Sequence, residues 1–297
     1  MEKIKFSYCP LCQSSKIQSF INLKDYSISK EKFEIWQCTQ CNFLFTQNIP
    51  NEDSIGSYYA SEEYISHSDT KKGIVNRLYH IARKIMLEKK YRLIKKISSG
   101  KSILDIGCGT GYFLNYMQKR GYQTLGVEVS DDARAFGKQN FKLNIFPPDH
   151  LLNNKIGRQY NVITLWHVLE HIYDPKSYIQ KISNILEEDG VLIVALPNPD
   201  SFDARFYKNY WAGYDVPRHI WHFTPQTIAR FVSEHFTINK LKRLPFDSFY
   251  NSLLSEKYRN KKFPFFRGIS IGFISYLLSL INVKKSSSMI YVLKKKD

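Results

Sequence analysis

The fold is decided by the stretch SILDIGCGTG, residues 102–111. It consists of a short apolar strand that carries an acid, Asp105, and of three glycines at alternate positions, Gly107, Gly109 and Gly111. A helix is predicted to follow directly. Glycines allow the backbone to turn sharply and to approach a ligand closely, and the N-terminus of the helix supplies free N–H groups. The stretch therefore predicts an α/β fold with a nucleotide-type site at this turn.

A second apolar strand, residues 124–127, ends in Glu128. An acid in this place is positioned to accept hydrogen bonds from both ribose hydroxyls of an adenosine. The dinucleotide fingerprint needs glycine or alanine as its last residue, where this chain has Tyr112 or Leu114. Asp105 would repel a pyrophosphate, but it suits a cationic ligand such as S-adenosylmethionine, which carries an ammonium and a sulfonium. A glycine-rich turn that binds no ligand is the alternative.

The pattern Asp-x-Gly-x-Gly-x-Gly followed by Glu128 resembles motifs I and II of the class I S-adenosylmethionine-dependent methyltransferases. The apolar run at residues 160–166 is typical of a buried parallel strand. The sequence HVLEH that follows it, residues 167–171, resembles motif IV of methyltransferases related to ubiquinone-pathway and sugar-modifying enzymes. The resemblance implies a Rossmann-like sheet with strand order 3-2-1-4-5-7-6, in which the seventh strand is antiparallel.

The resemblance also implies a cofactor site at the carboxyl ends of the strands, where ligands bind in open α/β sheets. Asp149 stands where the family has a polar residue that meets the adenine amine, and His167 stands beside the sulfonium. The implied cofactor-binding residues are Asp105, Gly107, Cys108, Gly109, Gly111, Glu128, Val129, Asp149, Trp166 and His167.

Two Cys-x-x-Cys pairs, Cys9 with Cys12 and Cys38 with Cys41, are separated by 25 residues. This is the spacing of a zinc ribbon, and four thiolates leave no open position on the ion, so the site is structural. Two disulfides or free buried thiols are the alternatives. The first ten residues show no secretory signal, and we therefore expect a cytoplasmic protein with reduced thiols and a structural Zn²⁺ in a ribbon at residues 1–50. A ribbon before such a core is similar to uncharacterised bacterial methyltransferases and, more distantly, to sugar C-methyltransferases.

The net charge of +16 is concentrated in two blocks. Residues 71–101 carry eleven Lys or Arg and one acid, and residues 256–297 carry ten and two. Such blocks form solvated helix faces, or they attract an anionic membrane surface, a polyanionic acceptor or nucleic acid. The near-neutral remainder of the chain includes most of the predicted methyltransferase domain, residues 101–297.

Residues 51–100 are predicted to form a lid and a basic linker helix. The polar stretch 48–69 contains Tyr58, Tyr59 and Tyr64, and it forms either a lid over the cofactor or a linker with aromatic anchors. Apolar residues at helical spacing predict a helix over residues 72–97.

An insertion at residues 200–223 is predicted to cover the acceptor side of the site. It holds eight aromatic residues together with His, Arg and Asp, a composition typical of a pocket that excludes water. A packed aromatic lid with satisfied polar groups is the alternative. The predicted acceptor-pocket residues are Tyr214, Arg218, His219 and His222.

The basic and apolar segment at about residues 256–285 is predicted to form either a helical hairpin over the site or an interfacial membrane element. The second interpretation predicts a protein at the periphery of a membrane. No run in the sequence reaches the ~18–20 uninterrupted apolar residues of a spanning helix.

The sequence thus predicts transfer of a methyl group from S-adenosylmethionine to a small-molecule, sugar or lipid-linked acceptor by in-line displacement. His167, His171 and His219 are candidates for a general base, because an imidazole titrates near neutral pH. An rRNA or tRNA base methyltransferase is one alternative, although the WHVLEH sequence after the fourth strand differs from the Asn/Asp-Pro-Pro-Tyr of many amino-directed enzymes, which makes nucleic acid a less favoured partner. A non-catalytic cofactor-binding or membrane scaffold is the other.

Overall fold

The computed structural model describes residues 3–59 and 74–296, with the backbone alone at residues 74–79. Tyr64, predicted to belong to a lid or linker, lies outside these residues. The N-terminal module contains the strands β1 (Lys3–Ile4), β2 (Ile17–Lys24), β3 (Lys32–Cys38), β4 (Leu44–Gln47) and β5 (Ile49–Pro50). Strands β2, β3 and β4 form an antiparallel sheet, and β1 pairs with β5.

Helix α1 (Ile74–Ile97) leads into a central region in which strands alternate with helices, as predicted. Its elements are β6 (Ser102–Ile106), α2 (Tyr112–Gln118), β7 (Gln123–Val127), α3 (Asp131–Phe141), β8 (Ile145–Phe146), α4 (Asp149–Leu152), β9 (Tyr160–Trp166), α5 (Pro175–Ile185) and β10 (Leu186–Pro197). The side chains of Ser130 and Asp174 cap α3 and α5 by accepting hydrogen bonds from backbone N–H groups in the first turn, which satisfies donors that a helix start leaves open.

After β10 the chain forms the aromatic insertion, which contains α6 (Phe202–Tyr207) and β11 (Trp221–His222) and is followed by α7 (Pro225–Val232). Strand β11 pairs antiparallel with β4, with Trp221 opposite Phe45. The N-terminal module therefore receives a fourth strand from the insertion. Phe43 and Phe45 of that module also lie in the same buried apolar cluster as Leu104 of the central sheet. The structure thus joins the ribbon predicted over residues 1–50 to the rest of the protein.

The C-terminal part contains β12 (Phe236–Arg243), α8 (Asp247–Arg259), α9 (Pro264–Ile281) and β13 (Ser288–Lys295). Helices α8 and α9 pack against each other as the predicted helical hairpin, but the hairpin begins at Asp247 rather than near residue 256. The buried positions of the first turns of α8 are polar, among them Ser248 and Asn251. They therefore give no apolar periodicity from which a helix start could be predicted.

The central sheet has the strand order β12-β13-β10-β9-β6-β7-β8, and β13 is antiparallel to both of its neighbours. Counted along the chain from β6, this is the order 3-2-1-4-5-7-6, so the predicted topology is confirmed. The apolar runs of β9 and β10 are buried at most positions, as expected for inner strands of a parallel sheet. The carboxyl ends of β6, β7, β9 and β10 form one edge of the sheet, at which the predicted site residues lie.

Candidate active site

The turn after β6 adopts a backbone conformation that favours glycine. Gly107, Gly109 and Gly111 have φ angles of 69°, 54° and 83°, in the left-handed region that side chains disfavour. A Cβ atom at Gly107 would lie 2.3 Å from the side chain of Val168, so the turn packs closely on the loop after β9. A Cβ atom at Gly109 would meet no described atom within 4 Å. The middle of the turn is therefore open to a ligand.

Glu128 follows the carboxyl end of β7 and faces this turn. Its Oε2 accepts a hydrogen bond from the Gly109 N–H at 2.8 Å, and its Oε1 accepts one from the Ser130 N–H at 3.0 Å. Val129 beside it is 77% exposed, and Asp149 at the start of α4 is exposed as well. A carboxylate for the ribose, an exposed apolar side chain and an acid at the next strand end fit an adenosine ligand.

Asp105 belongs to strand β6, just before the glycine turn, and is 3% exposed. Burial raises the pKa of its carboxyl to about 7, although a hydrogen bond from Thr164 and the charge of Lys90 lower it. Lys90 belongs to α1, and burial lowers the pKa of its ammonium to about 8. Its Nζ lies 4.1 Å from the centre of the Trp166 ring. A cation therefore already lies beside the acid predicted to bind a cationic ligand.

Trp166 and Cys108, which are also predicted to bind the cofactor, lie at the same edge of the sheet. Trp166 ends β9 and packs edge-on against Phe113, with 5.9 Å between the ring centres. Its Nε1 is buried and has no hydrogen-bond partner within the described part of the chain. Burial raises the pKa of the Cys108 thiol far above its usual range, so this residue is a neutral thiol inside the turn. The donor set and the open glycine turn fit S-adenosylmethionine.

His167 follows β9 directly and has a φ angle of 58°. A positive φ is uncommon for residues other than glycine, and such residues occur most often at functional sites. Its Nε2 lies 3.1 Å from Asp247 Oδ2 and its Nδ1 lies 3.4 Å from Glu170 Oε1. Burial alone would lower the pKa of His167, but the hydrogen bonds to Asp247 and Glu170 raise it to about 10. His167 is therefore an imidazolium at neutral pH, and it acts as a base only after it has lost a proton.

The loop after His167 adds a buried carboxylate and two imidazoles. Glu170 is 1% exposed, and apart from the ion pair with His167 its oxygens have no hydrogen-bond partner among the residues described. The rings of His171 and His219 are 4.6 Å apart. Burial and the neighbouring His219 lower the pKa of His171 to about 4, so His171 is neutral at physiological pH. The ligand atoms of Glu170, His171 and His219 all lie within 4.8 Å of one another.

A family model described as a methyltransferase domain matches residues 78–235, which is more than half of the chain. The chain belongs to this methyltransferase-domain family. In the fold of this methyltransferase, the matched residues run from α1 to the loop before β12. They include the glycine turn, Glu128, and the loop that carries His167 and Glu170.

Relatives with curated names agree with this family. The ubiquinone biosynthesis O-methyltransferase of Glaesserella parasuis serovar 5 (strain SH0165) is 34% identical over 109 residues, 33% of this chain and 46% of the relative. The protein of the same name from Acinetobacter baumannii (strain ACICU) is 29% identical over 114 residues, 35% of this chain and 48% of the relative. The methyltransferase thus spans about half the length of these curated relatives.

A solved structure shows the same fold. Magnesium protoporphyrin IX methyltransferase from Synechocystis PCC 6803, determined with bound SAH, superposes with a TM-score of 0.53 at 12% sequence identity. The superposition covers 83% of this methyltransferase and all of that chain. Family and fold together confirm the expected class I S-adenosylmethionine-dependent type.

Arg218, predicted to bind the acceptor, has protein partners for its guanidinium. The side chain is 2% exposed and pairs with Asp215 at 2.6 Å and with Asp25 at 3.0 Å. It also donates a hydrogen bond to the carbonyl of Tyr58 at 2.9 Å. Burial opposes the charge, but the two carboxylates raise the pKa of Arg218 above its usual range. In this methyltransferase Arg218 connects the insertion to the N-terminal module, and its geometry gives no support to an acceptor role.

The other predicted acceptor-pocket residues are also packed inside the protein. Tyr214 is 5% exposed and His222 is 4% exposed. His219 Nδ1 lies 3.0 Å from the carbonyl oxygen of Gly213, and His222 Nε2 lies 3.0 Å from the hydroxyl of Thr46. The gap that these histidines line has no room for a water molecule. The insertion therefore has the form of the alternative, a packed aromatic cover, and the role of these residues in acceptor binding stays a prediction.

The four ribbon cysteines come together at one point. Cys9 Sγ lies 3.6 Å from Cys41 Sγ, and Cys12 Sγ lies 3.6 Å from Cys38 Sγ. Four sulfurs around one Zn²⁺ at ~2.3 Å are about 3.8 Å apart by tetrahedral geometry. None of the four is in a disulfide within the described residues. The cluster is therefore compatible with the expected ion, and Cys108 lies outside it.

Sequence reasoning missed two residues of the site, Lys90 and Asp247. Each comes from a helix outside the strand edge, and each reaches it only through the packing of α1 and α8 on the sheet. Lys90 is one of many lysines in a basic block, and Asp247 has no motif around it. The sequence therefore predicts a solvated or anion-binding face for the basic block around Lys90, whereas this lysine points inward toward Trp166.

Proposed function

We propose that this protein transfers the methyl group of S-adenosylmethionine to an oxygen of a small-molecule or lipid-linked acceptor. The observation that carries the proposal is the convergence of Asp105, Glu128 and His167 on one sheet edge, around a glycine turn that is open to a ligand. Glu128 would hold the ribose and Asp105 the cationic amino-acid part. Bound there, S-adenosylmethionine would supply an electrophilic methyl group on a sulfur that leaves readily.

The acceptor would approach beside His167 and Asp247. The side chain of His167 is 36% exposed and that of Asp247 is 25% exposed, whereas His219 and His222 line a gap with no room for a water molecule. Holding the acceptor atom in line with the methyl group at this edge would lower the activation barrier by ~7–11 kcal/mol, through proximity and orientation. Trp166 and α1 would exclude water from the same edge.

Asp247 would take the proton that the acceptor hydroxyl loses. It is a carboxylate held at 3.1 Å by an imidazolium, which orients it and balances its charge. A hydroxyl that is being methylated becomes strongly acidic, so a weak base suffices. His171, which is neutral, is the second candidate, and its ring lies within 4.8 Å of the Glu170 carboxylate. General-base catalysis of this kind contributes ~10²–10⁴-fold.

Oxygen is the proposed acceptor atom because the curated relatives carry the name of O-methyltransferases. The sequence also permits methylation of carbon. If the acceptor is already a carbanion, this reaction would need no proton transfer to Asp247.

The N-terminal cluster of four thiols would hold one structural Zn²⁺, with no position open for catalysis. This requires reduced thiols and therefore a reducing compartment such as the cytoplasm. We expect one zinc per chain in metal analysis of the purified protein, and none after substitution of Cys38 by Ser.

Methyl-labelled S-adenosylmethionine, incubated with the pure protein and extract of its own source, tests the function. Labelled ether in a small-molecule or lipid fraction supports the proposal when Glu128→Ala abolishes it and Asp247→Asn reduces it ~100-fold or more at unchanged cofactor affinity. Label in RNA would contradict the acceptor class. Tight cofactor binding with no labelled product in any fraction would contradict the proposed methyl transfer and favour a non-catalytic scaffold.

A further inference from the structure

Helix α9 packs on its neighbour through small residues. Gly268, Gly272, Ser275 and Ser279 are its buried residues. A Cβ atom at Gly268 would lie 2.9 Å from Leu253 Cα, and one at Gly272 would lie 2.8 Å from Phe249 Cα. The two helix backbones therefore approach too closely for any side chain at these positions, as in the small-residue interfaces of membrane helices.

The opposite face of α9 is large, apolar and exposed. Phe266 is 70% exposed, Phe273 51%, Leu277 42% and Ile281 85%. They recur at helical spacing, so they form one stripe. Further exposed apolar residues on or beside the helix are Phe263, Phe265, Ile269, Ile274 and Leu280. A surface helix of a soluble protein has its apolar stripe inside, and α9 has the reverse arrangement.

A contiguous exposed patch of large apolar side chains marks an interaction site. The charges around the patch indicate which kind of partner it binds. Lys261 and Lys262 precede α9, and Lys284 and Lys285 follow it. The sequence from residue 257 to residue 296 contains no Asp or Glu. An apolar stripe with lysines at both ends matches a lipid surface with anionic headgroups.

The topology favours a helix that lies on the membrane. By length and composition α9 is the one helix among the described residues that is long and apolar enough to span a membrane, and 22% of it is buried. However, the hairpin starts shortly after β12 and the chain enters β13 shortly after α9, so both ends return to the central sheet. A helix tethered in this way presents its side, with both groups of lysines, to the lipid.

We propose that the exposed face of α9 is a docking surface for an anionic lipid membrane. The hairpin also connects this surface to the reacting edge, because Asp247 at the start of α8 contacts His167. A membrane-docked protein would receive an acceptor carried by a lipid from that side. This last step rests on the proposed function, whereas the docking itself is independent of it.

Flotation of the full chain with vesicles tests the docking. We expect binding to vesicles of phosphatidylglycerol and phosphatidylcholine, weaker binding to phosphatidylcholine alone, and loss of binding at high salt. Replacement of a lysine by Gln should weaken binding about fivefold for each of Lys261, Lys262 and Lys284, the effect of ~1 kcal/mol per basic residue near an anionic surface. Equal binding to both vesicle types, or none, would overturn the proposal.

A triple variant removes the apolar stripe without touching the core. Phe266→Ser, Phe273→Ser and Leu277→Gln should abolish flotation and leave the affinity for S-adenosylmethionine unchanged. Tyr8→Ser with Phe20→Ser is the matched control, because these residues are 58% and 47% exposed on the N-terminal module and should keep full binding. A wild type that forms a dimer, ignores vesicles and becomes monomeric in the triple variant would overturn the proposal in favour of a second copy.

The docking proposal and the proposed function can be contradicted independently of each other. Methyl transfer by a protein that does not bind vesicles would overturn the docking and leave the proposed function intact. Binding to anionic vesicles without methyl transfer from any extract would support the docking and contradict the proposed function.

Discussion

The carboxylate of Glu128 holds the glycine turn and is also the group proposed to bind the ribose of the cofactor. It accepts the N–H of Gly109 at 2.8 Å, and in the proposed complex it also accepts the ribose hydroxyls. Glu128→Ala removes both, and we expect the dissociation constant for S-adenosylmethionine to rise ~100-fold, since a hydrogen bond to a charged group contributes ~1.5–3 kcal/mol. Calorimetric titration measures it. Asp131→Ala, an exposed acid in the first turn of α3, is the control and should bind normally; equal affinity for all three proteins would contradict the site assignment.

In the proposed complex, Lys90 competes with the cationic amino-acid part of the cofactor, its ammonium and sulfonium, for the carboxyl of Asp105. The carboxyl groups of Asp105 and Asp247 both act on the Lys90 ammonium. A rise in pH ionises Asp105, whose pKa is about 7, and then neutralises Lys90, whose pKa is about 8. Both changes favour a cationic ligand, so the affinity of the wild type for S-adenosylmethionine should increase between pH 6 and pH 9.

Lys90→Met removes the competing cation. At pH 8 we expect the variant to bind S-adenosylmethionine on the order of tenfold more tightly, with a smaller gain for S-adenosylhomocysteine, which lacks the sulfonium charge. The pH dependence above pH 7.5 should also be weaker than in the wild type. Quenching of tryptophan fluorescence, to which Trp166 at the site contributes, should report binding in both proteins. An equal gain for both ligands would show that Lys90 competes with the ammonium that both carry, and no gain for either would contradict the competition.

At the scale of elements, the strands of the central sheet were predictable because their signal is local. Residues 160–166 form an uninterrupted apolar run, and the structure forms β9 from the same seven residues. The positions of α1 and α8 were not predictable, because their contacts with the sheet depend on tertiary packing. Lys90 and Asp247 were missed for that reason. The fold was therefore predictable from short segments, whereas the charged network at the reacting edge was not.

The insertion and the N-terminal module are joined by a buried ion network. Arg218 on the insertion pairs with Asp25 between β2 and β3 and with Asp215. Arg218→Met should destabilise the protein by ~3–5 kcal/mol, because it leaves buried carboxylates without a cation. Chemical denaturation measures the change. Arg205→Met, which removes an exposed partner of Asp200 at 3.5 Å, should cost ~0–1 kcal/mol, and a similar effect of both variants would contradict a structural role for Arg218.

At the scale of the whole molecule, the ribbon, the insertion and the sheet share one core. Cys9, Cys38 and Cys41 lie in the same buried cluster as Leu104 and Trp221. A zinc ion bound by these thiols would therefore stabilise more than the first fifty residues. The sequence predicts a separate ribbon. The coupling of the ribbon to the rest of the protein was not predictable, because strand β11, which pairs with β4, comes from a segment far along the chain.

The coupling predicts how the protein responds to metal removal. Chelation of zinc should lower the temperature of a single cooperative unfolding transition, measured together by far-ultraviolet circular dichroism and by Trp fluorescence, because loss of the thiol cluster exposes β4 and with it β11. Cys38→Ser should reproduce this low transition without chelator. Cys108→Ser, a thiol outside the cluster, should keep its zinc and respond to chelation as the wild type does. Two separate transitions after chelation, with the later one unchanged, would instead mean that the ribbon unfolds alone and that the shared core contributes little to its stability.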